Sequence, residues 1–203
     1  MPEVYTEELE NITPDIFIDT IFGIRDEDET PYVGSYYAHT PRILRSHSCA
    51  AYTNLSTFHL DDSGQLDRKS AFLAKTYLIV LDDVGTKVQG NALAPTYKIM
   101  SSEGNEQWGY VLDGGYAPAA VAAVLARMKL LETPIGDHGA MKVNNLVRLP
   151  CGINGKKRDD GVDKFPVRLT HWAPDTFYTL AELVAAWQLP ELGDGDRVGG
   201  EWM

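Results

Sequence analysis

Long apolar runs, paired cysteines and a basic leader are all missing from this 203-residue chain. No stretch approaches the roughly 20 apolar residues of a membrane-spanning helix, and the opening Met1-Pro2-Glu3-Val4-Tyr5 lacks the basic charge that begins a secretory signal. The two cysteines, Cys49 and Cys151, stand far apart and have no metal-type spacing, which leaves no disulfide framework and no zinc site. The expectation is a cytoplasmic protein in a reducing setting, with no membrane partner. The five histidines, His39, His47, His59, His138 and His171, form no His-x-His pair, which argues against histidine-dependent nicking chemistry. The length suffices for one substantial core.

Basic charge is also scarce, with 18 Lys and Arg against 29 Asp and Glu for a net −11. The imbalance is local. Residues 1–30 hold ten acids against Arg25 alone, so the rest of the chain is close to neutral. Between Lys142 and Arg168 the sign reverses, with Lys142, Arg148, Lys156, Lys157, Arg158, Lys164 and Arg168 outnumbering Asp159, Asp160 and Asp163. A basic stretch of this kind can hold phosphates inside an acidic protein, and it also suits an ordinary solvated loop.

Local signals divide the chain into alternating elements. Thr13-Pro14-Asp15 offers a cap, a first-turn proline and an acid at the positive end of a helix dipole, predicting a helix with Ile16, Phe17, Ile21 and Phe22 inward and Gly23 at its end. Ser48 to Phe58 reads as a strand, and Asp61-Asp62-Ser63-Gly64 as a turn. Thr96–Met100 and Gln107–Leu112 read as an antiparallel pair joined around Glu103-Gly104-Asn105. Alanine-rich Pro118–Leu131 is a helix, Pro166–Trp172 a strand, and Thr179 with Glu182 makes a capping box for a last helix to Trp187.

Three segments carry candidate chemistry. The run Tyr77-Leu78-Ile79-Val80-Leu81 fits a strand covered on both faces, and it closes on Asp82-Asp83-Val84-Gly85. Carboxylates on a rigid strand end suit Mg²⁺ or Mn²⁺, whereas a solvated acidic turn is the plain alternative. The second segment, Ser101-Ser102-Glu103-Gly104-Asn105-Glu106-Gln107, is a hairpin whose hydroxyls, amides and free backbone can hydrogen-bond phosphate oxygens. The third runs from Asp137-His138-Gly139 to Arg148-Leu149-Pro150-Cys151-Gly152-Ile153-Asn154-Gly155-Lys156.

Arg148-Leu149-Pro150 followed by Gly152, Asn154 and Lys156 resembles the Arg-Leu-Pro-Gly-x-x-Asn-x-Lys signature of the archaeo-eukaryotic-type primases of plasmid and phage replication proteins. The order also matches over residues 70–160: an acidic strand end, a Ser/Gly-rich hairpin, a further acid, then the Arg-Pro-Gly-Asn-Lys run. Three departures fall on the chemistry. Asp82 and Asp83 are adjacent where the family spaces its acids one residue apart, Gln107 stands in place of the hairpin histidine, and Cys151 separates Pro150 from Gly152. In a regular strand, neighbours point to opposite faces, so Asp82 and Asp83 share a side only if the strand breaks or bulges between them.

The resemblance implies an α+β fold: an RRM-like mixed or antiparallel sheet with flanking helices, forming a primase-polymerase catalytic core, with a second small α/β subdomain sharing a cleft. Residues 1–189 then read as a single module, with an acidic N-terminal helical segment (1–30), a catalytic core (48–172) and a C-terminal helix (175–189), followed by a flexible acidic tail (190–203). The implied activity is template-dependent nucleotidyl transfer from an NTP or dNTP on single-stranded DNA, with a replicative helicase as a further partner. Asp82, Asp83 and Asp137 would be catalytic and hold Mg²⁺ or Mn²⁺. Ser101, Ser102, Gly104, Gln107, Arg148, Asn154 and Lys156 would bind nucleotide, and Lys157, Arg158, Lys164 and Arg168 would track the nucleic acid. The competing expectation is a primase-like module that binds nucleotide or DNA without catalysis.

Overall fold

Proline at the first helical position and a threonine side chain before it start the first helix where the sequence asks. In the computed structural model, which describes residues 9–36, 51–155 and 165–193, α1 runs Pro14–Phe22 and the Thr13 hydroxyl accepts the Ile16 N–H. Its inward side is Phe17, Ile18, Ile21 and Phe22. Ile16, expected inside, is 46% exposed, because the helix lies on the sheet by a face centred between positions 17 and 21.

The described residues form nine strands: β1 Thr30–Gly34, β2 Tyr52–Phe58, β3 Leu73–Val84, β4 Tyr97–Ser102, β5 Asn105–Tyr116, β6 Leu146–Arg148, β7 Ile153–Asn154, β8 Phe165–Pro166 and β9 Arg168–Trp172. The main sheet has the order β1-β2-β3-β5-β4-β9, with every pairing antiparallel. β6 also pairs with β2, and β7 with β8 forms a separate two-stranded ribbon. Among the described residues that ribbon is the only sheet apart from the main one. The strand expected over 77–81 is longer than its apolar run, because hydrogen bonding to β2 and β5 extends it in both directions.

β3 and β6 share one edge of β2. Ser56 and Phe58 of β2 pair with β3, whereas Tyr52, Thr53 and Asn54 pair with β6. Past Thr76, β3 therefore leaves β2, and the strand bearing Arg148 takes its place. The sheet curls, and Arg148 of β6 comes within reach of Gln107, which also meets Asp82 near the end of β3.

The two faces of the sheet bury separate cores. One gathers Leu78, Val80, Tyr97, Ile99, Val111, Val147 and Leu149 beneath α1, with Phe17 edge-on to Tyr97 at 4.8 Å and stacked on Trp172 at 5.4 Å. The other gathers Ile79, Leu81, Tyr110 and Leu112 beneath two helices, α2 (Pro118–Met128) and α3 (Leu180–Ala186). The Thr179–Glu182 capping box is fully formed on α3. The run 77–81 is thus covered on both sides, as continuous apolar composition requires. Among the described residues no helix is long and apolar enough to cross a membrane.

Glu29 ties the acidic N-terminal part to the sheet. Its carboxylate is 4% exposed and accepts from the Thr57 hydroxyl at 2.7 Å and the Tyr77 hydroxyl at 2.8 Å, and it pairs with Lys75 at 3.2 Å. Its removal would strand the buried Tyr77 hydroxyl and leave Lys75 with Asp26 alone. Glu29→Ala is expected to destabilise the fold by about 3 kcal/mol, a fall in Tm of about 6–12 °C in a thermal melt.

Candidate functional site

The adjacency of Asp82 and Asp83 is resolved by one extra residue. Leu81 pairs with Trp108 and Val84 with Glu106, so the two aspartates stand opposite Gln107 alone, which makes a β-bulge. Asp83 takes a left-handed backbone, φ 59°, a conformation that aspartate tolerates better than most residues. The bulge brings both carboxylates to one side of the sheet. Asp82 Oδ1 accepts from Gln107 Nε2 at 3.0 Å, and Asp83 Oδ1 accepts from Asn105 Nδ2 at 2.9 Å. Asn105 and Gln107 are two apart on β5 and so share a face.

Gln107 spends both ends of its amide on the protein. Besides Asp82, its Oε1 accepts the backbone N–H of Arg148 at 3.0 Å, joining β5 to β6 across β3. From there Arg148 Nη2 donates to Asn154 Oδ1 at 3.1 Å, and Asn154 Nδ2 donates to the Ser101 carbonyl at 2.7 Å. Asp82, Gln107, Arg148, Asn154 and Ser101 are thereby linked in one hydrogen-bonded chain. In this arrangement Gln107 forms an internal clamp on the acid and on the arginine strand.

Arg148 is 7% exposed, with its guanidinium 5.0 Å from the centre of the Tyr52 ring and Nη1 without a hydrogen-bond partner among the described residues. A buried guanidinium nitrogen without an acceptor is a position where an anion gains far more than it would in water. Cys151 does not displace this segment. Its N–H closes a tight turn on Leu149 at 2.7 Å, and Gly152 at φ 77° redirects the chain so that Asn154 still reaches Arg148. The half-buried Cys151 thiol is free, its pKa pushed up by burial.

Asp137 joins the acids by its backbone, donating its N–H to the Asp82 carbonyl at 3.1 Å. Neighbouring Gly136 packs on Leu81, where a Cβ would stand 3.1 Å from the Leu81 Cα. Burial raises the pKa of Asp82, and the charges of Asp83 and Asp137 add to the rise, against the lowering effect of the Gln107 hydrogen bond. Tyr97 lies on the same face, and its fully buried hydroxyl is held above the ordinary phenol range, first by burial and then by the Asp82 charge.

Ser102, Gly104 and Arg168 fall outside this chain of contacts. Ser102 and Gly104 belong to the tight turn between β4 and β5, where Gly104 takes φ 65° and faces open space. Arg168 lies exposed at the start of β9, its guanidinium 5.9 Å from the Phe165 ring centre. Lys156, Lys157, Arg158 and Lys164 lie outside the described residues.

Two residues that sequence reasoning passed over take part. Asn105 holds Asp83, and Lys87 pairs with Asp83 Oδ2 at 2.5 Å and with Asp137 Oδ1 at 3.8 Å. The i,i+4 spacing of Asp83 and Lys87 was the available signal for the second. Oxygen donors of this type suit Mg²⁺ or Mn²⁺. Yet among the described residues no three ligand-type side chains converge closely enough to hold a metal ion. Gln107 holds Asp82 Oδ1, Asn105 and the Lys87 ammonium hold Asp83, and the carboxylates do not converge, so in this arrangement the residues do not fit the divalent ion that the acidic motif suggested.

No protein-family model matches the chain, and none of the curated proteins matches it. Among solved structures it is similar to the AEP domain of the cyanophage S-2L primase-polymerase (PrimPol), with 10% sequence identity and a TM-score of 0.49 over 70% of each chain. A likeness of that size transfers neither activity nor residue roles.

Asp82 is costly to the fold as a charge. Its pKa is raised on folding, so the protonated form is favoured: the penalty is absent below the ordinary carboxylate range and is fully present once the pH exceeds the raised value. Asp82→Asn, which keeps the acceptor for Gln107, is expected to raise Tm at pH 7. That gain should shrink as the pH falls toward the ordinary carboxylate range, measured as paired melts across pH.

Proposed function

We propose that this chain is a primase-type nucleotidyltransferase that takes an NTP or dNTP and a single-stranded DNA template. The observation that carries this reading is the hydrogen-bonded chain from Asp82 through Gln107, Arg148 and Asn154 to Ser101. It joins residues of the acidic, hairpin and arginine segments, the three segments on which the primase resemblance rests. In this reading Arg148 receives a phosphate oxygen at Nη1, and the arginine strand is held in register by Gln107. Ser102 and the Gly104 turn offer hydroxyl and backbone donors at the hairpin tip. Arg168 and the basic residues 156–158 and 164 follow the template backbone by charge, in a salt-dependent way without base preference. A replicative helicase is the partner that such a module would serve.

Asp82, Asp83 and Asp137 supply the negative centre. No step runs through a metal ion in this reading, since among the described residues the carboxylates do not converge on one. A second reading, a nucleotide- or DNA-binding module without catalysis, is favoured by one observation: Lys87 neutralises part of the acidic centre from within.

Primer synthesis and extension on single-stranded DNA, with NTPs or dNTPs and either Mg²⁺ or Mn²⁺, distinguish the two. The expected outcome is product from the wild type and a loss of about 100-fold or more in Asp137→Ala. Equal inertness of both, with calorimetry still showing nucleotide uptake without metal, would leave the binding module as the function.

A further inference from the structure

An aromatic row leads outward from the buried arginine. Antiparallel pairing sets Gly34 of β1, Tyr52 of β2 and Arg148 of β6 side by side across three strands, so the side chains of Tyr52 and Arg148 share a face. The Arg148 guanidinium lies 5.0 Å from the Tyr52 ring centre, and the Tyr36 ring meets Tyr52 edge to face at 5.6 Å. Gly34, having no side chain, lets the Tyr32 ring lie across it and donate its hydroxyl to the Ser35 carbonyl at 2.9 Å. That bond fixes the chain as it leaves β1, one residue before Tyr36. Burial falls along the row: Arg148 is 7% exposed, Tyr52 is half-buried and Tyr36 is 56% exposed.

The two ends of the row ask for different halves of one ligand. At the inner end Arg148 Nη1 is buried without a hydrogen-bond partner among the described residues, which calls for an anion. At the outer end Tyr36 offers aromatic surface to solvent, which suits a flat ring. A nucleotide carries both groups, joined by a sugar. Resting on the primase-type reading, in which Arg148 receives a phosphate oxygen, we propose that Tyr36 stacks on the base of that same nucleotide, with Tyr52 as the fixed spacer between base and phosphate. Two ring contacts separate Tyr36 from the guanidinium, a span within the reach of a single nucleotide. Stacking of this kind tolerates any base, since every base has a π-face, so the row selects nucleotides as a class. A bare polyphosphate uses the inner end only.

Titration calorimetry with ATP and with inorganic tripolyphosphate separates the two ends. Tyr36 is exposed enough to be changed without emptying the core. The expected result is ATP binding about tenfold weaker in Tyr36→Ala and close to wild type in Tyr36→Phe, which keeps the ring. Tripolyphosphate should bind the wild type and both variants alike. Unchanged ATP binding in Tyr36→Ala would overturn the proposal. So would an equal loss for ATP and tripolyphosphate, which would make Tyr36 a prop for Tyr52 and Arg148. A loss seen with single-stranded oligodeoxythymidylate and not with ATP would assign the ring to the template strand and overturn it too. The two readings fail differently. A wild type that takes up neither ATP nor tripolyphosphate removes the phosphate site and the stacking with it, whereas tripolyphosphate uptake with ATP binding indifferent to Tyr36 removes the stacking alone.

Discussion

One surplus residue in β3 decides what the rest of the site can be. Two aspartates opposite one glutamine shift the register at the end of the strand, and only with that shift do both carboxylates share a face. Without it, Asp83 would turn toward the core beneath α2 and α3, where an unpaired charge is prohibitive. The same bulge, through the left-handed Asp83, starts the turn that carries Lys87. Gln107, the residue opposite, is then free to reach Asp82 with one end and Arg148 with the other.

The curl of the sheet makes that reach possible. A flat sheet would keep β3 along the whole of β2 and leave no place for β6. Because β3 departs after Thr76, Arg148 approaches from an edge that β2 still offers, and the amide of one side chain spans the gap. The glycine opposite Tyr97 has a matching role. A side chain at Gly109 would occupy the Tyr97 ring, so the smallest residue lets an aromatic floor lie beneath the polar chain.

Much of this was legible in the chain. The caps of α1 and α3, the alanine-rich α2, the doubly covered strand and the β4–β5 hairpin follow from signals within a few residues of each other. What was not legible depends on partners distant in sequence. Adjacent aspartates state that a bulge is needed if both are to serve, but whether it forms is a property of β5. That Gln107 also holds the Arg148 backbone, 41 residues later, is visible only once β6 is placed beside it. Ile16 and Ile18 exchange places because helix periodicity fixes the width of an apolar stripe and not its rotation on the sheet.

The distances along the chain also order its assembly. Asp82 meets Gln107 across 25 residues, Gln107 meets Arg148 across 41, and Asn154 meets Ser101 across 53. Contacts of such separation close after local hairpins, since the entropy of the intervening loop must be lost first. The β4–β5 hairpin and its junction with β3 can therefore form while the arginine segment is still unattached. During that interval the amide carbonyl of Gln107 faces solvent. Docking of residues 146–154 is the step that dries the polar chain, and a nascent protein synthesised only as far as α2 carries Asp82 and Asp83 but neither Asp137 nor Arg148.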